Sequence, residues 1–239
     1  MRALIQEVLA AHAIEDNPYL TALADGSLAR EDFIETQVQF YYAVVFFSRP
    51  MAVLAAKIPS SALRIEVLRN VWEEHGEGDL AARHGSTFLE LLSRLAGLTR
   101  ADVERRMLWP EVRAFNTVLV GAATLDDWEV GASVLGMIER MFADIAAHIG
   151  RSILRRGWLT EDRLIHYGLH AELDVRHSDD FFALLEPTWA RDERGQYLIE
   201  QGLRLGGYVF DRMYRDLWHA RARRWLAKVA APQRHIYAE

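Results

Sequence analysis

An all-α, single-domain bundle is the fold that the 239-residue sequence predicts. Three observations predict it. Apolar residues recur at helical spacing along almost the whole chain, while strand-like alternation is nearly absent. Only six prolines and fifteen glycines punctuate the sequence, and they fall at plausible helix boundaries. No repeat, low-complexity tail or linker divides the chain, so residues 1–239 read as one domain large enough to bury a sizeable core.

The elements follow in order. DNPYLTALADGSLAREDF reads as a short helix, a Gly turn and a helix opening near Ser27 or Ala29. EDFIETQVQFYYAVVFFSRPMAVLAAK continues as a long helix that Pro50 is expected to kink. IPSSALRIEVLRNVWEEHGEGDLAARHGSTFLELLSRLAG gives a helix, a Gly-broken joint and a further helix ending near Gly97. An irregular stretch through LWPEV precedes a helix to about Gly121. TLDDWEVGASVLGMIERMFADIAAHIGRSIL is a long helix with Thr124 or Asp126 as its cap. A capping box at Thr160 is expected to open LTEDRLIHYGLHAELDVRHSDDFFALLE, and the last long helix is expected to start at TWARDERG. The total is about seven to nine helices.

Composition narrows the function. The net charge of −6 gives no basic footprint for nucleic acid. The Arg-rich RSILRRG and HARARRW sit near helix ends, where cations oppose the helix dipole. With no cysteine there are no disulfides, thiolate metal sites or thiol nucleophiles. The N-terminal segment lacks a signal-peptide core, and no uninterrupted apolar run reaches bilayer length. A cytoplasmic protein without a membrane partner is expected.

Polar residues on apolar helix faces carry the functional signal. Trp128, Ala132, Leu135, Glu139, Phe142, Ala146 and Ile149 form one helical stripe in which Glu139 is the only polar member. A carboxylate buried there needs a hydrogen bond, a cation or a metal. His84 falls in a second stripe, with Phe88, Leu91 and Leu95, and Glu74 and Glu77 lie just upstream. In HAELDVRH, His170, Asp174 and His177 are spaced by four and three, in line with Phe181 and Leu184. Taken singly, His84 reads as a core histidine, Glu139 as an arginine's partner and the HAELDVRH set as a solvated stripe. Together they bring carboxylates and imidazoles from three helices toward one core, the pattern of a non-haem diiron centre. Nitrogen and oxygen donors suit iron, manganese or zinc. The Glu-x-x-His repeats of ferritin-like bundles do not occur, so a different scaffold is required.

These motifs, with NPYLTALADGSLAREDFIETQVQFYY and EEHGEGDLAARH, resemble the haem-oxygenase-like diiron oxidases, relatives of the TenA, PqqC and CADD-like proteins. The resemblance spans nearly the whole chain and implies a haem-oxygenase-like (TenA/PqqC-like) helical bundle. It implies metal ligands Glu74 or Glu77 with His84, then Glu139, then His170, Asp174 and His177. Glu74 is preferred, and it requires Gly76 and Gly78 to fold the chain back, because ten residues of straight helix would span about 15 Å. Glu77 is the substitute or an outer partner. The implied cofactor is two Fe2+ per chain, with O2 as co-substrate. Where N-oxygenating relatives add a carboxylate, FFSRPM offers Ser48 and Arg49. Thiaminase chemistry is excluded for want of a cysteine.

The reaction expected is oxidation of a small amino-acid-like or fatty-acid-like metabolite in a biosynthetic pathway, by C–C cleavage or N-oxidation. Tyr41, Tyr42, Phe46 and Phe47 are candidate pocket walls, and Arg49 and Lys57 candidate holders of a substrate carboxylate. Two other readings stay open. One is a cofactor-independent, PqqC-like oxidase in which His84, His170 and Tyr167 act as acids and bases. The other is a non-catalytic bundle with a polar core. The resemblance also implies a homodimer, and an external electron donor is compatible with it.

Overall fold

The computed structural model describes residues 1–228, with only the backbone described at 169–172. Ten α-helices make up the described chain: α1 Arg2–Ala11, α2 Pro18–Asp25, α3 Arg30–Lys57, α4 Ser61–Glu74, α5 His84–Ala96, α6 Arg100–Glu104, α7 Pro110–Thr124, α8 Trp128–Arg155, α9 His166–Arg191 and α10 Glu193–Ala220. The excess over seven to nine comes from short pieces such as α6. An isolated bridge between Arg106 and Leu226 is the nearest approach to β-structure among the described residues.

Local chemistry sets several of these boundaries. Asn17 caps α2 by accepting the Tyr19 N–H at 3.0 Å, Pro18 occupies the first turn, and Gly26 ends the helix in the left-handed region at φ 94°. Ser60 caps α4 on the Leu63 N–H, and Thr99 with Asp102 forms a capping box on α6.

Three boundaries differ from expectation. Thr124 closes α7, its hydroxyl donating to the Val120 carbonyl at 2.6 Å, so Asp127 rather than Thr124 or Asp126 precedes α8. Thr160 makes no capping bond; a single 3-10 turn at Glu161–Arg163 follows it and α9 opens only at His166. At the other end α9 runs through Pro187 to Arg191. There Asp192 accepts the Gly195 N–H at 2.6 Å and starts α10, so a capping carboxylate rather than the TWA segment opens the last helix. Pro50 lies inside an uninterrupted α3.

Helix α8 is the spine, with α9 and α10 against it. Close approach depends on glycine: a Cβ on Gly136 would lie 2.7 Å from Phe181 Cβ, and one on Gly202 or Gly206 would lie 2.5 or 2.7 Å from the carbonyls of Val130 and Val134. Helix α3 crosses the core from another side. An 18-residue window of it has a mean hydropathy of 1.3, long and apolar enough by composition to cross a membrane, yet 78% of that window is buried inside the bundle. Between these helices the core is aromatic-rich, with Phe40, Phe88, Phe142, Phe210 and Tyr214 in mutual contact.

Candidate metal centre

Glu74 is the last residue of α4 and His84 the first of α5. Between them Gly76, Glu77 and Gly78 all take positive φ, at 66°, 54° and 94°. Two of the three are glycines, which enter that region freely; Glu77 pays roughly 1–2 kcal/mol of steric cost there. The turn is tight: a Cβ on Gly76 would sit 2.7 Å from the Arg83 nitrogen, and one on Gly78 would meet the Trp72 ring at 2.9 Å. The chain therefore reverses, and Glu74 Oε2 and His84 Nδ1 meet in a hydrogen bond.

Helices α8 and α9 complete the cluster. One donor atom each from Glu74, Glu139 and His177 fall within 4.8 Å of one another. His177 Nδ1 stands 3.8 Å from Glu139 Oε1 and 4.0 Å from Asp174 Oδ1. The opposite edge of the ring is fixed from α4, because His177 Nε2–H donates to Glu73 at 2.7 Å, and Arg176 holds the same carboxylate at 2.5 Å. That bond turns the Nδ1 edge of the ring toward the carboxylates, the orientation in which the imidazole would bind a metal in exchange for its Nδ1 proton. His84 stacks on His166 with centroids 5.0 Å apart, and Thr87 Oγ1 lies 3.1 Å from His166 Nδ1.

Burial gives these charges their leverage. Glu74, Glu139, Asp174 and His177 are 6%, 4%, 1% and 0% exposed. Burial, then Asp174, raises the Glu139 carboxyl to about 7, and burial with Glu74 beside it raises Asp174 to about 8. For His177 burial opposes the imidazolium, but Glu139, Glu74 and Glu73 outweigh it and raise the group to about 10. The carboxylates thus favour holding protons, or a cation in their place.

The residues fit a bound metal. Glu139 Oε1 and His177 Nδ1 are buried 3.8 Å apart, facing one another beyond hydrogen-bond distance, although each belongs to a group that water solvates strongly. A divalent ion between them would satisfy both atoms, neutralise the carboxylates, and find only the nitrogen and oxygen donors that suit iron.

The family model for iron-containing redox enzymes matches residues 35–206, which takes in every element of this cluster. The chain belongs to that family. Among curated proteins the chain is 24% identical over 193 residues to the 4-aminobenzoate synthase of Nitrosomonas europaea, 76% of each chain being covered. Its fold is similar to a TenA homologue from P. horikoshii (16% identity, TM-score 0.67, 91% and 96% of the two chains). A CADD-like protein from Nostoc punctiforme has the same fold (15%, 0.71, 91% and 95%). So does a haem-oxygenase-like domain from Shewanella denitrificans (14%, 0.70, 91% and 88%). The haem-oxygenase-like bundle expected from the sequence is the fold of this family member.

Of the ligands expected from the sequence, Glu74, His84, Glu139, Asp174 and His177 come together. The side chain of His170 lies outside the described residues. Glu77 is exposed on the joint. Tyr167 is buried beside His166, and its hydroxyl donates to Gln37 Oε1.

The expected pocket residues are arranged differently. An apolar cavity of about 30 Å³ ends on His84 and Glu139, walled by Phe40, Ala43, Val44 and Phe47 of α3 with Phe115, Phe142 and Phe210. Phe47 is there as expected, whereas Tyr42 points elsewhere and donates to the Val103 carbonyl at 2.8 Å. Arg49 lies 5.8 Å over the Phe46 ring, and Lys57 donates to the Thr124 and Asp126 carbonyls at the end of α7. Neither cation lines the cavity. The sequence reading passed over His166, which extends the His170, Asp174, His177 spacing back by four, and Glu73, which offered no periodic signal beside Glu74.

Proposed function

We propose that this family member is an oxygen-dependent diiron oxidase of a biosynthetic pathway. The observation that carries the reading is the buried pair Glu139 Oε1 and His177 Nδ1, 3.8 Å apart and beyond hydrogen-bond distance, inside a cluster of carboxylates. Two Fe2+ would be held by Glu74, His84, Glu139, His170, Asp174 and His177, and would supply the reduction of O2 and the oxidation of an organic molecule.

The chain's own residues do the rest. Glu74, Glu139 and Asp174 offset the positive charge of the ions in a site screened from water. Glu73 holds the His177 ring so that Nδ1 points inward. Phe40, Phe47, Phe115, Phe142 and Phe210 exclude water from the side of Glu139 that faces the cavity. At about 30 Å³ the cavity accommodates only about two water-sized molecules, since each needs roughly 10–15 Å³. A metabolite must therefore shift aromatic side chains to enter, while O2 fits directly.

Among the described residues the wall is apolar apart from His84 and Glu139, which supports a substrate whose reacting part is hydrocarbon or aromatic, as in a fatty-acid-like chain or the side chain of an aromatic amino acid. The relative named 4-aminobenzoate synthase supports a biosynthetic setting. C–C cleavage or N-oxidation, a homodimer and an external electron donor complete the reading.

Anaerobic titration of the metal-free chain with Fe2+, read by Mössbauer spectroscopy, should saturate at two irons per chain. Admitting air should then consume O2, and a chelator should abolish that uptake. Oxygen uptake undiminished by chelator would instead establish a metal-free oxidase.

A further inference from the structure

Asn70 is fully buried, and both ends of its amide, Oδ1 and Nδ2, lack a hydrogen-bond partner among the described residues. Such a group loses its hydration for nothing, at a cost that native interiors rarely tolerate. Its position says what could satisfy it. Helices α4 and α9 run antiparallel, with Arg69 on Asp180 at 3.0 Å as one rung and Glu73 on His177 at 2.7 Å as the next. Asn70 falls between those rungs. On an ideal helix its side chain leaves the axis about 60° from Glu73 and about 40° from Glu74, pointing between them one turn away from the joint.

We propose that Asn70 belongs to the metal site and offers its amide Oδ1 to a divalent ion. The inference rests on the reading of this cluster as a metal centre. An amide oxygen is a hard, neutral donor of the kind that takes iron, manganese or cobalt in oxygen-rich sites. Neutrality matters here. Glu73, Glu74, Glu139 and Asp174 already crowd the cluster with negative charge, so a fifth carboxylate would add repulsion whereas an amide adds a ligand alone. The apolar cavity wall does not include Asn70.

Metal-free full-length wild type, Asn70→Leu and Asn70→Asp are titrated with Co2+, following the visible d–d bands and the metal-induced rise in Tm. Asn70→Leu keeps the branched heavy-atom skeleton, at a somewhat larger volume, and removes both unpaired polar atoms. Its metal-free Tm should equal or exceed that of wild type, yet Co2+ should bind at least tenfold more weakly with altered bands. Asn70→Asp keeps an oxygen donor and should retain binding. Wild-type affinity and bands in Asn70→Leu would overturn the proposal and point to a trapped water. If Asn70→Leu does not fold, loss of Co2+ binding in a folded Asn70→Asp overturns it equally. No uptake by wild type would overturn the metal centre itself, a distinct result.

Discussion

At His177 the imidazole stands between carboxylates with different tasks, Glu73 at 2.7 Å from Nε2 and Glu139 at 3.8 Å from Nδ1. Removing the outer one should leave the inner ligands in place but loosen the ring. Glu73→Ala is therefore expected to weaken Fe2+ binding about 10–100-fold, the usual effect of losing a ligand's supporting hydrogen bond, as measured by anaerobic titration. Asp174 gives the pH dependence. Its carboxyl is raised to about 8 in the metal-free fold, so at neutral pH it is protonated when folded and ionised when unfolded. Its contribution to stability is full below about 4 and falls as the pH rises to about 8. His177, raised to about 10, contributes stability that is full below its ordinary value near 6.5 and is lost as the pH climbs through about 10. Comparing metal-free wild type with Asp174→Asn isolates the first effect: the Tm of wild type relative to the variant should drop between about pH 5 and 8. Metal displaces the same protons, so the rise in Tm on adding Fe2+ should grow over that window.

Between residue and fold, the decisive element is the joint of α4 and α5. Gly76→Ala would place a methyl 2.7 Å from the Arg83 nitrogen at φ 66°, forcing the turn open and parting Glu74 from His84. Fe2+ affinity should fall at least tenfold. Gly97→Ala imposes the same backbone strain at φ 67° with open space around it, and should leave affinity unchanged. Where α10 meets α8, a methyl at Gly202 would press on the Val130 carbonyl at 2.5 Å. Gly202→Ala is expected to cost about 1–3 kcal/mol of stability in urea denaturation, since neither helix can yield without repacking the core. These elements were unequally legible. The glycine joint announced itself because EEHGEG carries two residues that favour left-handed backbone. The start of α10 did not, because α9 continues through Pro187 to Arg191 and the capping carboxylate of Asp192 lies within the segment expected to be helical. Thr160 looked like a cap, but its side chain makes no bond to the turn that follows.

For the molecule as a whole, helical periodicity was enough to reveal the bundle, a polar residue on an apolar stripe singled out Glu139 and His84, and the spacing within HAELDVRH singled out Asp174 and His177. The stripe criterion works because burying a charge is costly, so a lone carboxylate on an inward face needs a physical reason. It does not resolve which side of a helix buried on several sides faces the cavity. Helix α3 is apolar around much of its circumference, so Tyr42 and Phe46 were as plausible as Phe40, Ala43, Val44 and Phe47, which line it. Nor does it register long side chains that reach out of their own stripe, as Lys57 does to the end of α7. The proposed centre requires α4, α5, α8 and α9 to deliver their donors to one shared ion site. Iron content of iron-supplied wild type, Glu139→Ala and His177→Ala, measured beside circular dichroism to verify folding, tests this most directly. About two irons per chain in wild type and less than half of that in each folded variant is the expected result; equal iron in all three would contradict it.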